Sequence, residues 1–340
     1  MAREGRSRVH KRKRGCLSGC LLRIVLLLGV LAMLFVGACV LGFVRNDPET
    51  GAPSLSFESI GIEDGMLPEI DLTALNLNAL SGMLEDLPLD GWPYHVAREG
   101  MTVKTLRTMA GEAVFVCCDG YTLLLGGGSN GPLLCGQLLL CGAGSLSAVI
   151  APDVSDDQAG GLGLAVSMTR PGYLLYPDSQ TKGKAYNSMI SAAQKGGKTQ
   201  LIVPQQGLSF ALGRARVTVI GPAFRNHTDE RDDGLSVRID YGATSVLVMG
   251  RITQAGEREL RSSGAPLDAD VLICAQGGSD EATGTDFAAA VSPKAALLTG
   301  KSPANPVIVR LQRAGAQVYT AKEHGVMTVY SDGSSIRVVP

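Results

Sequence analysis

Histidine is scarce in this chain: of 340 residues only His10, His95, His227 and His324 are histidine, and no two are neighbours. A local imidazole cluster, the usual ligand source for a catalytic zinc, is thereby excluded. No C-x-x-C pair occurs among the eight cysteines, which removes the common thiolate metal motifs. Aromatic residues make up 5% of the chain, so a core of any size must be aliphatic. A large net charge is also absent, at −1 overall. Of the 31 basic residues nine precede residue 94, leaving 22 against 21 acids in the remainder, and this balance gives no bulk electrostatic reason to bind nucleic acid. The run Gly126-Gly-Gly-Ser-Asn-Gly131 is followed by no G-K-[ST], so it reads as a turn rather than a phosphate cradle.

What is present divides the chain into four regions. Residues 1–23 carry eight Lys and Arg against the single acid Glu4. Ile24–Val44 then runs for 21 residues without a charge, enough as a helix to span roughly 31 Å at about 1.5 Å per residue. The run is longer than a signal-peptide core, so a retained single-pass transmembrane helix is predicted, although Val36-Gly37-Ala38 has the small residues of a cleavage site. The basic cap places the N-terminus in the cytoplasm and the rest beyond the membrane. Residues 45–100 form an acidic stalk, with ten Asp and Glu and no Lys or Arg between Asn46 and Tyr94. Like charges keep such a segment extended. Within it Asp71–Leu87 has leucines at helical spacing, which predicts a short amphipathic helix.

Residues 101–340 alternate strand and helix patterns to the end and predict one α/β domain, large enough for a substantial core. Val114–Cys117 and Tyr121–Leu125 flank Asp119-Gly120 as a hairpin. Strands are expected at 147–150, 200–203, 216–220, 236–241, 245–249, 271–274, 295–298, 317–319 and 326–330, with helices at 184–195, 253–261, 286–291 and 306–313. Cys135 and Cys141 are spaced to bridge, but buried thiols acting as small hydrophobes suit them as well.

Several landmarks fall in a telling order: Met101–Ala113, the hairpin ending Leu123-Leu-Leu-Gly-Gly-Gly128, Asp153–Leu162, Arg231–Gly242, Val246–Arg251, Asp270–Ser279 and the tail after Pro293. In order and spacing they resemble a metallo-β-lactamase-fold domain, in particular the extracytoplasmic domain of the ComEC-type DNA-internalisation competence proteins. The resemblance covers about residues 101–340. It implies a four-layer αββα sandwich with one or two zinc or manganese ions at the loop edge of the sheets.

Laid on this chain, the family's metal motifs meet other residues. The H-x-H-x-D-H motif, anchored on Gly160-Gly161-Leu162, falls on Asp153, Ser155, Asp157 and Gln158. The bridging aspartate falls on Arg251, and the late H-H-G-S histidines on Gln276 and Gly277. The aspartate of the early D-G-G turn is Gly126, and the histidine before the penultimate helix is missing from Ser302–Pro306. Neutral Ser155 and Gln158 are poor zinc ligands, and Arg251 brings a permanent positive charge to the place of a carboxylate. The expectation is a degenerate site with no metal cofactor and no catalytic residues, in a pseudoenzyme that binds or scaffolds an envelope or DNA-uptake partner. The alternative is a phosphodiesterase-type hydrolase using an oxygen-liganded ion at Asp153, Asp156 and Asp157. Against that ion stands a plainer role for these acids, capping the helix that follows Gly160-Gly161. Arg251 is expected to reach Asp157 as a salt bridge replacing metal. A third reading, binding without turnover, predicts an open cleft around Gln158 and Arg251. Ser236 and Ser279 have no histidine placed to activate them, and Asn226-His227-Thr228 is a glycosylation sequon in form only.

Overall fold

The computed structural model describes residues 44–46, 53–55, 96, 97, 99–179 and 181–340. Except for Val44, the predicted membrane span lies outside these residues, as do the basic cap and the Asp71–Leu87 stretch. Val44 opens strand β1 (Val44–Asn46), which pairs antiparallel with β2 (Pro53–Leu55). Among the described residues no helix is long and apolar enough to cross a membrane.

The larger of two stacked sheets joins β3 (Met101–Thr105), β4 (Val114–Cys118), β5 (Tyr121–Leu125), β6 (Ala148–Ile150), β7 (Tyr173–Leu175) and β8 (Gln200–Ile202) with β16 (Thr328–Ser331) and β17 (Ile336–Val339), in the order 17-16-3-4-5-6-7-8. The second holds β9 (Ser209–Leu212), β10 (Ala215–Gly221), β11 (Ser236–Tyr241), β12 (Thr244–Val248), β13 (Val271–Ile273), β14 (Ala295–Leu298) and β15 (Gln317–Thr320), in the order 15-14-13-12-11-10-9. Each sheet is antiparallel on one side and parallel on the other, β5 to β8 and β12 to β15 being the parallel runs. The inner parallel strands are short apolar runs such as Leu123–Leu125 and Val271–Ile273, buried on both faces because helices cover the side away from the partner sheet, whereas the edge strands β8 and β15 are partly exposed.

One core fills the space between the sheets, with Val103, Val116, Leu123, Val217, Ile239 and Ile273 among its members. A second lies between the larger sheet and α1 (Gly131–Leu140), α3 (Leu162–Thr169) and α4 (Lys184–Gly196). A third lies between the smaller sheet and α5 (Gln254–Ser262), α6 (Thr285–Val291) and α7 (Asn305–Arg313). The layers are therefore helix, sheet, sheet, helix, and the domain is a mixed α/β two-sheet sandwich. The predicted strands and helices are present with shifts of a few residues at most.

Three elements differ from expectation for identifiable reasons. Helix α1 was hidden because it is apolar on every side, Leu133-Leu-Cys-Gly-Gln-Leu-Leu-Leu140, and so has no helical period to read. It starts where the Gly126–Gly131 turn ends, with Asn130 Oδ1 accepting the Leu133 N–H at 2.8 Å. The segment expected to enter one helix at Gly160-Gly161 forms two: α2 (Asp156–Ala159) begins before the glycines and α3 after them. Cys135 and Cys141 are free, buried thiols rather than a disulfide.

Candidate functional site

Parallel strands bring the loops that follow them to one edge. The segments after β5, β6 and β7 meet those after β12, β13 and β14 there, and this is where open α/β sheets collect ligand-binding groups. The two halves are stitched by a backbone bond from Leu235 N–H to the Pro152 carbonyl at 2.7 Å. A cleft of about 290 Å³ opens at this edge, lined among others by Asp153, Ser155, Asp156, Asp229, Arg231 and Arg251.

Most side chains at the predicted ligand positions are engaged with a protein neighbour, Asp157 being the exception. Asp153 is 8% exposed, and its carboxylate accepts the Ser155 N–H. Arg251 donates to Ser155 Oγ at 2.9 Å and stands 3.8 Å from Asp153 Oδ2. The expected partner of Arg251 was Asp157; the structure corrects this, because Asp157 is exposed and does not line the cleft. Asp156 turns to the start of α4, where Oδ1 accepts the Ala185 N–H at 3.1 Å, and so caps a different helix from the one expected. The three aspartates thus point to different tasks. Gln158, at 2% exposure, is closed off from the cleft, and its Oε1 accepts the Glu112 N–H at 3.2 Å. An open cleft around Arg251 is present, but Gln158 is not part of it.

Gln276 has a left-handed backbone, with φ of 52°, a conformation that side chains other than Gly seldom adopt. It is held there from both ends. Its N–H donates to the Gly250 carbonyl at 2.8 Å, its Oε1 accepts Arg231 Nη1 at 3.0 Å, and its Nε2 donates to the Ile252 carbonyl at 3.2 Å. Two further ligand positions are glycines for a steric reason. A Cβ on Gly126 would lie 2.4 Å from the Glu112 carbonyl, and one on Gly277 would lie 2.6 Å from the Gly300 nitrogen. Both glycines also have positive φ.

At the junction sits a residue that the sequence did not single out. Glu112 precedes β4, is buried, and accepts the Gly277 N–H at 2.8 Å and the Thr299 hydroxyl at 2.6 Å, both from the opposite half of the sandwich. Burial pushes its pKa up to about 7 even though those two hydrogen bonds and the charge of Arg251 act in the other direction. The available signal was a lone acid directly before the apolar run Ala113–Cys118, too little to reveal a partner 165 residues away.

The cleft's other wall is the loop from β10 to β11. Arg231 pairs with Asp229 at 2.7 Å and with Glu281, and Asp232 accepts the Thr253 N–H and hydroxyl at 2.7 and 2.8 Å. Thr181 from the β7–α4 loop donates to Glu230 at 2.7 Å. His227 lies between two carboxylates, with Nδ1 2.7 Å from Asp233 and Nε2 2.6 Å from Glu259 of α5. Among the described residues no group of three His, Cys, Asp or Glu side chains is arranged to hold a metal ion. Ser236 is a buried hydroxyl donating to the Met249 carbonyl, and Ser279 Oγ accepts the Glu281 N–H, so neither is presented as a nucleophile.

The two-sheet sandwich fits the metallo-β-lactamase fold, and solved structures of that fold are similar to this chain. YhfI from Bacillus subtilis, described as a metallo-β-lactamase-fold protein, is 17% identical over 67% of this chain and 99% of its own, with a TM-score of 0.44. Tm1679, a metal-dependent hydrolase of the β-lactamase superfamily, is 11% identical over 65% and 95%, with a TM-score of 0.44. CmlA, a diiron β-hydroxylase from Streptomyces venezuelae, is 14% identical over 68% of this chain but only 54% of its own, with a TM-score of 0.45. No family profile and no curated protein matches the chain. The expectation of no cofactor is corrected here, because the similar structures include a metal-dependent hydrolase and a diiron enzyme. The residues described at this chain's edge nevertheless do not make a standard donor set: Arg251 stands beside Asp153, and Gln158 and Gln276 are tied into protein hydrogen bonds.

Proposed function

We propose that the chain is a membrane-anchored, catalytically inactive relative of the metallo-β-lactamase-fold hydrolases whose sandwich binds a partner or ligand at the edge cleft. The observation that carries this reading is that most side chains at the expected ligand positions are tied to protein groups, Arg251 to Ser155 beside Asp153, Gln276 to Arg231 and Gln158 to the Glu112 N–H, with Asp157 exposed outside the cleft. Catalysis by such a fold needs groups free to activate water, whereas these are committed to protein hydrogen bonds, of which the Arg251 contacts cross between the two halves. The basic cap and the uncharged run Ile24–Val44 support an anchor with the domain outside the cytoplasm. The ComEC-type landmark order supports a place in the envelope or in DNA uptake. Within the cleft, five acids, Asp153, Asp156, Asp229, Glu230 and Asp233, face two arginines, so direct binding of a polyanion there is disfavoured.

The test is metal analysis of the full-length chain purified without chelator, combined with a phosphodiesterase assay in Mn²⁺, Mg²⁺ and Zn²⁺. Turnover in any of these ions that is lost in Asp153→Ala and Asp157→Ala would establish the hydrolase and end the pseudoenzyme reading. The expected result is no turnover in any of them. For the anchor, the chain is expected to stay with membranes after alkaline carbonate washing and to be released when residues 1–44 are removed.

A further inference from the structure

The β10–β11 loop that walls the cleft is secured from several sides, and one of its fastenings differs from the rest. Glu259 on α5 accepts the N–H groups of Ala223 and Phe224 at 3.2 and 3.0 Å as well as the His227 ring at 2.6 Å. Asp233, which lines the cleft, accepts both the backbone N–H of His227 at 3.2 Å and its Nδ1 at 2.7 Å. Among the described residues the imidazole alone joins the cleft-lining end of the loop to α5 through this pair of carboxylates. Both carboxylates are acceptors only when ionised, so both contacts are hydrogen bonds only when both ring nitrogens carry a proton.

We propose that His227 is a proton-operated latch on the cleft wall: the imidazolium holds the loop against α5 through Asp233 and Glu259, and loss of its proton releases one of the two. The proposal rests on the reading of the edge cleft as the binding site, and it concerns the regulation of that site. A neutral imidazole has one N–H for two carboxylates, so at one side an acceptor then faces an acceptor at hydrogen-bond distance. The same event leaves Asp233 without its nearest cation and makes the cleft more negative. Burial works against the charged ring, but the hydrogen bonds and charges of Glu259 and Asp233 outweigh it and raise the His227 pKa above the ordinary histidine value. Most of the other charged groups on the packed elements have their own partners, and Arg258 of α5 is exposed. Asp232 is bound to Thr253, Glu257 of α5 to the Thr283 and Gly284 N–H groups, Arg225 to Asp178 and the Pro204 carbonyl, and Arg231 to Asp229 and Glu281. Loosening is thus expected to be local to residues 222–228 and Asp233, with the Asp232 and Arg231 fastenings intact.

The experiment uses the full chain with ¹³C-labelled histidine, following the His227 ring by NMR from pH 5.5 to 8.5. Amide hydrogen exchange of residues 222–235 is read in parallel and corrected for the intrinsic pH dependence of exchange. His227 is expected to titrate above the usual histidine midpoint, and protection of the loop is expected to fall roughly tenfold across that titration, the loss of one charge-assisted hydrogen bond. Amides of β11 and β12 should not follow it. In Glu259→Gln the midpoint should drop, and in His227→Gln the protection should be low and independent of pH. A ring that titrates at or below the ordinary value, or loop protection unchanged across its titration, overturns the latch, and both are read on the unsubstituted protein. The outcome is separable from that of the cleft reading: a working latch with no ligand found for the cleft would count against the binding module alone.

Discussion

Glu112 offers a stability measurement whose size follows from its surroundings. The carboxyl is buried between the sandwich halves, and burial raises its pKa from the ordinary 4.5 to about 7. A folded state that holds a proton more tightly than the unfolded chain loses stability as pH rises from the unfolded to the folded value. Stability from Glu112 is therefore fully present below about pH 4.5, declines between 4.5 and 7, and is gone above 7. At 1.36 kcal/mol per unit the loss is about 3 kcal/mol. Glu112→Gln keeps an oxygen to accept the Gly277 N–H and the Thr299 hydroxyl and has nothing to ionise. The variant is expected to match the parent within about 1 kcal/mol at pH 5, and to be more stable at pH 8 by up to about 3 kcal/mol. Urea unfolding followed by circular dichroism at pH 5, 6, 7 and 8 gives both profiles. Glu257, also raised to about 7 by burial, and His227 give slopes of the same sign, but they are present in both proteins and cancel in the difference. Asp229 and Asp270, whose pKa values are lowered, act at more acidic pH than this window. Parallel profiles for the two proteins would refute the argument, since they would mean that no proton is taken up at Glu112 on folding.

Other expectations follow from the same edge. Arg251→Ala removes the bond to Ser155 and a cation whose charge lowers the Glu112 pKa, so it should cost about 1 kcal/mol and move the Glu112 step in the stability profile to higher pH. Asp156→Ala uncaps α4 and should cost about 1 kcal/mol in urea unfolding. Gly277→Ala places a Cβ against the Gly300 backbone at positive φ and should destabilise by about 2–4 kcal/mol, seen as a large drop in melting temperature. Gln276→Gly, by contrast, relieves the left-handed backbone while losing two side-chain hydrogen bonds, so the net change should stay within about 1 kcal/mol.

The fold was legible to the extent that each element had a period or a punctuating residue. The hairpin at Asp119-Gly120 and the amphipathic helices α4, α5 and α7 could be read because one face of each differs from the other. Helix α1 could not, because an element apolar on all sides shows no alternation. At the site, the resemblance drew attention to Asp153, Ser155, Asp157, Gln158, Arg251 and Gln276, of which Asp153, Ser155 and Arg251 line the cleft. It did not find Glu112 or Glu259, whose partners lie tens of residues away or more, nor Asp233, which meets His227 across a loop turn.

The sequence by itself determined the alternation of strands and helices, the apolar character of the parallel strands, the scarcity of histidine, and the charge pattern of the first hundred residues, because these depend on residue types and near neighbours alone. The tertiary structure decided which groups face each other: that Arg251 meets Ser155 and Asp153 rather than Asp157, that Asp156 caps α4, and that Gly126 and Gly277 stand where backbones pass too closely for a side chain. The reason is physical. Hydrogen bonds and sterics act over about 3 Å, and no spacing along the chain encodes a 3 Å distance between residues 112 and 277 or between 227 and 259.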